Sequence, residues 1–451
     1  MVFFGTGRSP YGSGEAEIKS SGYGYKQSGF FYECEDEKAK RNMLWFYVRA
    51  AERAAFPGGK QENERSGNMR KVAIVGTGNI SPEHIKGYLT FPERCRIVAL
   101  VDIYPEKAEE KKKTFGLDAA VYASHTEMLE KEDVDLVSIC TPPYTHAAIA
   151  IDCLNAGKDV LVEKPMAASL EECDAMLAAA EKNGRVLGIV AQNRFRSTVM
   201  SLHHLIEEKR IGKVLLAQID SLWWRGHSYY DLWWRGCWDK EGGGCTLNHA
   251  VHHIDMLCWM MGLPQKVTAV LGNLAHDNAE VEDISIAVLQ YADGAMGQVT
   301  SSVIHHGEEQ RVLFQGEKAA VAVPWKVAAS LSKENGFPEP NPVLEKELDE
   351  AFHAYPKCAY EGHTGEIDNL LTALEAGAAP LITGEDGRRT VELITAIYKA
   401  GFSGSAVVLP LSPDDPFYTV DGILRNIRHF HEKTGSVENF ADGTITVGSQ
   451  Y

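Results

Sequence analysis

The sequence predicts an α/β domain built on a doubly wound parallel sheet, followed by an α+β domain with a mostly antiparallel sheet. Three observations carry this. A glycine-broken strand at Arg70 to Ser81 (RKVAIVGTGNIS) opens a run of alternating strand-like and helix-like segments. That alternation stops near residue 192. Beyond it, strand-like segments follow one another without intervening helices, and Ala292-Asp293-Gly294 between two of them is a hairpin signal.

Residues 1–68 stand apart from both regions. They begin rich in Gly, Ser and Tyr, pass through one amphipathic piece (Lys38 to Phe56), and end in the flexible polar stretch GGKQENERSGN. Two readings stand for them: an arm that packs on a partner subunit, or an extension upstream of a natural start at Met69. The second is favoured, and neither gives the segment any chemistry.

Over 69–191, strands read at 71–75, 96–101, 135–140, 159–162 and 186–190. Helices lie between them at about 83–90, 105–115, 125–131, 145–156 and 170–182. Such repeats place parallel strands between two helix layers. The first strand breaks on Gly76-Thr77-Gly78, with Ser81 five residues after the first glycine. Gly76 permits a tight turn out of a buried strand, Gly78 lets the backbone approach a pyrophosphate, and Ser81 keeps the next helix close to the sheet. The free N–H groups of that helix face the phosphates. The second strand ends in Asp102, at the sequence distance of a carboxylate that bonds a ribose 2′-hydroxyl and repels a 2′-phosphate. This is the pattern of a Rossmann domain. Ile103 and Tyr104 follow the acid, with no arginine to receive a 2′-phosphate, so the expected cofactor is NAD.

In such sheets ligands sit beyond the carboxyl ends of the strands. The cofactor candidates are therefore Gly76, Thr77, Gly78, Asn79 and Ile80 in the turn, then Asp102, then Thr141, Pro142 and His146, then Glu163 and Lys164, then Gln192. The second domain, 192–410, reads as a helix at 198–209 and strands at 213–221, 265–275, 283–291, 295–303, 310–315 and 319–323. Helices at 363–377 and 386–400 close it, and a tail covers 411–451.

Bulk composition narrows the partners. A chain of 451 residues allows two or three domains with sizeable cores. The net charge of −17 argues against nucleic acid and anionic membranes. Nine cysteines are scattered without CxxC or paired metal spacing, as in a reduced, cytoplasmic protein. No apolar run approaches membrane-spanning length, and the first residues lack a signal-peptide pattern.

Lys164 is the sharpest catalytic candidate, because it ends the apolar strand DVLV on the cofactor's edge of the sheet and Pro165 fixes the backbone behind it. The second constellation is GGGCTLNHAVHHIDMLCWMMG, residues 242–262. On one continuous helix, Asn248, His252, Asp255 and Trp259 would share a face, with His249 and His253 as a neighbouring packing stripe. No cysteine or carboxylate completes a metal-ligand set at a usual spacing, so no metal is expected.

Together the glycine turn, TPP (141–143), EKP (163–165) and GGG…N…H..D (242–255) resemble the glucose–fructose oxidoreductase/inositol dehydrogenase/rhizopine-catabolism (Gfo/Idh/MocA) family. The resemblance runs from Met69 to about Pro410. It implies an NAD(P)-dependent dehydrogenase of sugars, sugar derivatives or cyclitols, whose C-terminal sheet is open and often forms a homo-oligomer interface. It implies that Lys164 contacts substrate hydroxyl and nicotinamide ribose, with His252 as acid/base. Many members have aspartate where this chain has Asn248, so their Asp–His pairing does not carry over. Asn248 is left to orient a hydroxyl or His252, and the proton goes to His252, whose ordinary pKa lies near working pH.

Ahead of this helix, LWWRG occurs at 222–226 and again at 232–236. Aromatic faces suit the C–H faces of a sugar and arginines reach hydroxyls, but both residue types also favour subunit interfaces. The substrate-binding candidates are Arg194, Trp234, Arg235, Trp238, Asn248 and Asp255. The leading expectation is oxidation of a secondary hydroxyl of a sugar, glycoside or cyclitol. Transient oxidation that cleaves a glycoside, and non-catalytic NAD sensing, are the alternatives.

Overall fold

The computed structural model describes residues 69–438; the expected extension, 1–68, and the end of the tail, 439–451, lie outside the described residues. The first sheet contains β1 (Arg70–Val75), β2 (Cys95–Val101), β3 (Ala120–Tyr122), β4 (Leu136–Ile139), β5 (Asp159–Val162) and β6 (Leu187–Ile189). All pairings are parallel, in the order β3-β2-β1-β4-β5-β6. Strands buried on both faces need continuous apolar runs, and Val72, Ala73 and Ile74 of β1 are fully buried. The order reverses between β1 and β4, which opens the ligand crevice there. Only β3, three half-buried residues, is additional to the strands read from sequence.

The second sheet contains β7 (Val214–Trp224), β8 (Lys266–Gly272), β9 (Ile284–Gln290), β10 (Met296–Ser302), β11 (Ile304–Gly316), β12 (Ala319–Val323), β13 (Lys326–Ser332), β14 (Pro338–Pro340) and β15 (Val407–Val408). Its order is β14-β13-β12-β11-β7-β10-β9-β8-β15, antiparallel throughout except for β7 beside β10. The strands alternate: Ser285, Ala287 and Leu289 of β9 are buried, while Ile286 and Val288 are exposed. Strands β13, β14 and β15 and the helices Pro342–Ala354 and Val420–Asn426 were not legible in the sequence pattern.

The helix Gly362–Ala376 corrects the sequence reading. It was expected to close the second domain, yet it covers the first sheet, where Ile367, Leu370, Leu371 and Leu374 share a core with Val72 and Ile74. Arg94 fixes it from outside through Asp368 and Glu375. The next helix, Gly384–Ser403, packs on both sheets, with Gly387 against Ile189 and Gly401 against Leu271. The eight cysteines among the described residues are unpaired, and no described helix is long and apolar enough to cross a membrane.

Candidate active site

The turn after β1 is built around a glycine that no other residue can replace. Gly76 has φ +91°, and a Cβ there would lie 2.8 Å from the carbonyl carbon of Cys140 at the end of β4. At Gly78 a Cβ would meet nothing within 4 Å, so the space above the turn is open. The helix Ser81–Leu89 starts here without a side-chain cap, because Ile80 stands at the N-cap position, and the Ser81 hydroxyl donates to the Gly78 carbonyl at 2.8 Å. Asp102 closes the turn: Oδ2 accepts the Thr77 N–H and hydroxyl, both at 2.8 Å, and Oδ1 accepts the Tyr104 N–H at 3.0 Å. An uncapped helix start, open space over a glycine and a braced carboxylate fit the phosphates and ribose of NAD. Asn79 and Ile80 complete the same turn.

Two loops meet on the neighbouring strand ends. His146 is buried and bridges them, with Nδ1 at 2.8 Å from the Pro165 carbonyl and Nε2 at 2.8 Å from the Thr141 carbonyl. Thr145 donates to Thr141 and to the Pro142 carbonyl. The Lys164–Pro165 peptide is cis. Glu163 points inward instead of toward the crevice: it is 4% exposed, takes a 2.9 Å bond from His84 and the Lys164 N–H at 3.1 Å, and has His363 at 3.4 Å. Burial is outweighed by His363 and His84, which hold its carboxyl well below the usual range. Sequence offered no signal for His363, 200 residues away on the returning helix.

Lys164 reaches across from the first sheet, with Nζ 3.5 Å from the main-chain carbonyl of Asn248. Burial and the nearby charge of Arg235 lower its pKa against the pull of Glu163. Asn248 ends the short helix Cys245–Asn248, whose first turn is held by the buried Glu282 through the N–H groups of Gly244 and Thr246. A Cβ at Gly244 would sit 1.9 Å from the Glu282 carbonyl oxygen, which accounts for one of the three glycines. The Asn248 amide donates to the carbonyls of Gly243 (2.8 Å) and Gly244 (3.3 Å), leaving its oxygen directed elsewhere.

The expected continuous helix is broken at His249 and Ala250, and a second helix runs Val251–Met261. His252, half-buried on its first turn, has no hydrogen-bond partner among the described residues. Burial, then Lys164 and His253, push its pKa well below the ordinary histidine value, so it is neutral at working pH. His249 lies beside Trp223 and Tyr229, and His253 is buried.

Three expected substrate-binding residues belong elsewhere. Arg194 and Asp255 pair with each other, bidentate at 2.8 and 2.7 Å, with Asp386 at 3.4 Å. Arg194 is 1% exposed, so this cluster is an internal tie between the sheets. Asp255 follows His252 by three residues on the same helix, Val251–Met261, and its carboxylate is taken up by Arg194. Trp238 is also interior: its indole N–H donates to the Glu280 carbonyl at 3.1 Å, and its ring packs on Tyr398 and Phe402. Trp234 and Arg235 do stay beside the Lys164 side of the crevice, with the guanidinium 4.2 Å from the Trp234 ring centre. Gln192 is half-buried, and its Oε1 is buried without a partner.

A dinucleotide turn on the first sheet, with a lysine at the end of a neighbouring strand meeting a helix of the second domain, fits a nicotinamide-dependent oxidoreductase. Sequence comparison agrees: residues 70–190 match the Gfo/Idh/MocA oxidoreductase family, NAD-binding Rossmann fold, and residues 199–322 match the Gfo/Idh/MocA C-terminal domain. The chain belongs to this family. It is 30% identical over 255 residues to a 2,7-anhydro-N-acetylneuraminate hydratase of Mediterraneibacter gnavus, covering 56% of this chain and 66% of that protein. It is 27% identical over 337 residues to an inositol 2-dehydrogenase of Rhizobium meliloti, covering 73% and 96%. The WlbA dehydrogenase of Bordetella pertussis, solved with NADH and UDP-GlcNAcA, superposes with a TM-score of 0.67 at 29% identity, over 76% of this chain and all of that one.

Proposed function

We propose that the protein is an NAD-dependent dehydrogenase that oxidises a secondary hydroxyl of a sugar, glycoside or cyclitol. The convergence of Lys164 with the Asn248–His252 segment at the cofactor edge carries this reading. NAD, bound over the Gly76–Gly78 turn, supplies the hydride acceptor. The Lys164 ammonium donates to the substrate oxygen, and its lowered pKa keeps the proton mobile. His252, neutral and unengaged, accepts the hydroxyl proton. The Asn248 carbonyl holds Lys164 in place, and His146 and Glu163 hold the two loops on which the nicotinamide would rest. The inositol and UDP-sugar relatives support a polyol or sugar substrate.

The hydratase relative favours a second reading, since hydration is redox-neutral and would require the hydride to return. The exposed Val270, Ile286 and Val288 on the outer face of the second sheet support a homo-oligomer formed through that face. The unpaired cysteines fit a cytoplasmic location. The decisive experiment is a screen of sugars, cyclitols and glycosides that follows NADH absorbance and, in parallel, released or hydrated product. Stoichiometric NADH supports the dehydrogenase; product without net NADH supports the second reading.

A further inference from the structure

The second LWWRG places one arginine in an unusual setting. Arg235 lies close to two aromatic rings, its guanidinium carbon 4.2 Å from the centre of Tyr229 and 4.2 Å from that of Trp234. Its Nη1 donates to the Tyr229 hydroxyl and, at 3.1 Å, to Glu241. Its Nε is buried and has no acceptor, and among the described residues Nη2 has none either. The guanidinium is planar, so Nε and Nη2 are two parallel donors on the one edge that carries no hydrogen bond among the described residues. That edge matches the two oxygens of a carboxylate.

Arg235 lies near the proposed reacting groups, and its charge acts on both Lys164 and His249. Tyr229 links Arg235 to His249, with its hydroxyl 3.4 Å from His249 Nε2, and His249 Nδ1 is also buried without a partner. Burial, then Arg225, Arg235 and Lys164, depress His249 well below its ordinary range, which places three cations around it. Arg225 is already paired with Glu308 at 2.8 Å. The carboxylate on Arg235, Glu241, is 1% exposed and pushed by burial up to about 7, so near neutral pH it is a partial counterion.

We propose that Arg235 binds a carboxylate of the substrate through its Nε–Nη2 edge, so that the hydroxyl presented to Lys164 and His252 belongs to a sugar acid. This rests on the dehydrogenase reading of the same crevice and narrows its substrate class. A neutral sugar would leave a buried guanidinium edge facing hydroxyls, which satisfy its hydrogen bonds but not its charge.

The test compares acids with their neutral isosteres. NAD-loaded protein is titrated calorimetrically with D-glucuronate, D-galacturonate and the corresponding amides. At least one acid should bind roughly tenfold to a hundredfold tighter than its amide, the range of a charge-assisted two-pronged contact. Arg235→Met should erase that preference. Arg235→Lys, which keeps the charge but not the fork, should erase most of it, with circular dichroism showing both variants folded. Equal affinity for acid and amide in every pair, or a preference that survives both substitutions, would overturn the proposal. NADH formed equally well from acid and amide would also overturn it while leaving the dehydrogenase reading intact. Preferential binding of the acid with no nicotinamide reduction would sustain the carboxylate site and remove the dehydrogenase.

Discussion

Lys164 Nζ lies 3.5 Å from the main-chain carbonyl of Asn248, so the end of one sheet and a short helix of the other domain meet at a single ammonium group. The contact is made by backbone and therefore survives side-chain substitution at Asn248. On the proposed mechanism, Lys164→Ala should cut turnover while leaving NAD affinity, measured by fluorescence titration, nearly unchanged.

His252→Ala should lower turnover by roughly a hundredfold to ten-thousandfold, the usual contribution of a positioned base. On the proposed mechanism the base is active only when neutral, so rate should rise with pH as His252 loses its proton. Burial and Lys164 depress that pKa, which puts the rise below the ordinary histidine range. A pH–rate profile that climbs through about 6.5 would contradict this placement.

Asn248→Asp should create a carboxylate facing the carbonyls of Gly243 and Gly244, which now accept from the amide. The partial negative charge on those carbonyl oxygens, with no donor to replace the amide, raises its folded pKa above the unfolded value. The cost is absent below about pH 4, grows as pH rises through the gap between the two pKa values, and persists above it. Thermal midpoints at acid and alkaline pH should therefore diverge from wild type only on the alkaline side. Asn248→Ala should show no such pH dependence.

Asp255→Ala leaves the guanidinium of Arg194, 1% exposed, with only the longer contact to Asp386. Breaking a buried pair in this way costs about 3–5 kcal/mol, measurable by denaturant unfolding. Loss of activity without loss of stability would return Asp255 to the substrate site.

Asp102→Ser should narrow the preference for NAD over NADP, because the carboxylate that repels a 2′-phosphate is gone. It should also weaken binding of both cofactors, since Asp102 braces Thr77 through two 2.8 Å bonds. The ratio of kcat/KM values for the two cofactors reports the first effect and their separate KM values the second.

The parts of this site that sequence makes legible are those fixed by local backbone demands. Gly76, Asp102 and Lys164 each end a strand, and a strand end is visible in the change of pattern. Trp234 and Arg235 stood out by composition alone. Asp255 keeps its place near His252 on Val251–Met261, but helical periodicity carries no sign of the Arg194 guanidinium, 61 residues away in sequence, that takes its carboxylate. The helix Gly362–Ala376 shows a clear apolar stripe, but a stripe does not say which sheet it will cover. Glu163 was read from its position beyond a strand, whereas its direction is set by His84 and His363.

The Arg194–Asp255–Asp386 cluster and the helix Gly384–Ser403 fasten the two sheets at one shared seam. A desolvated ionic lock and a helix gripping both halves make a clamshell motion costly. Traffic in and out of the crevice is then a matter for the loops at its rim and not for the hinge. Residence time of a reduced cofactor becomes a property of loops: substitutions at the rim should change how long it stays, and substitutions at the seam should change whether the protein folds at all.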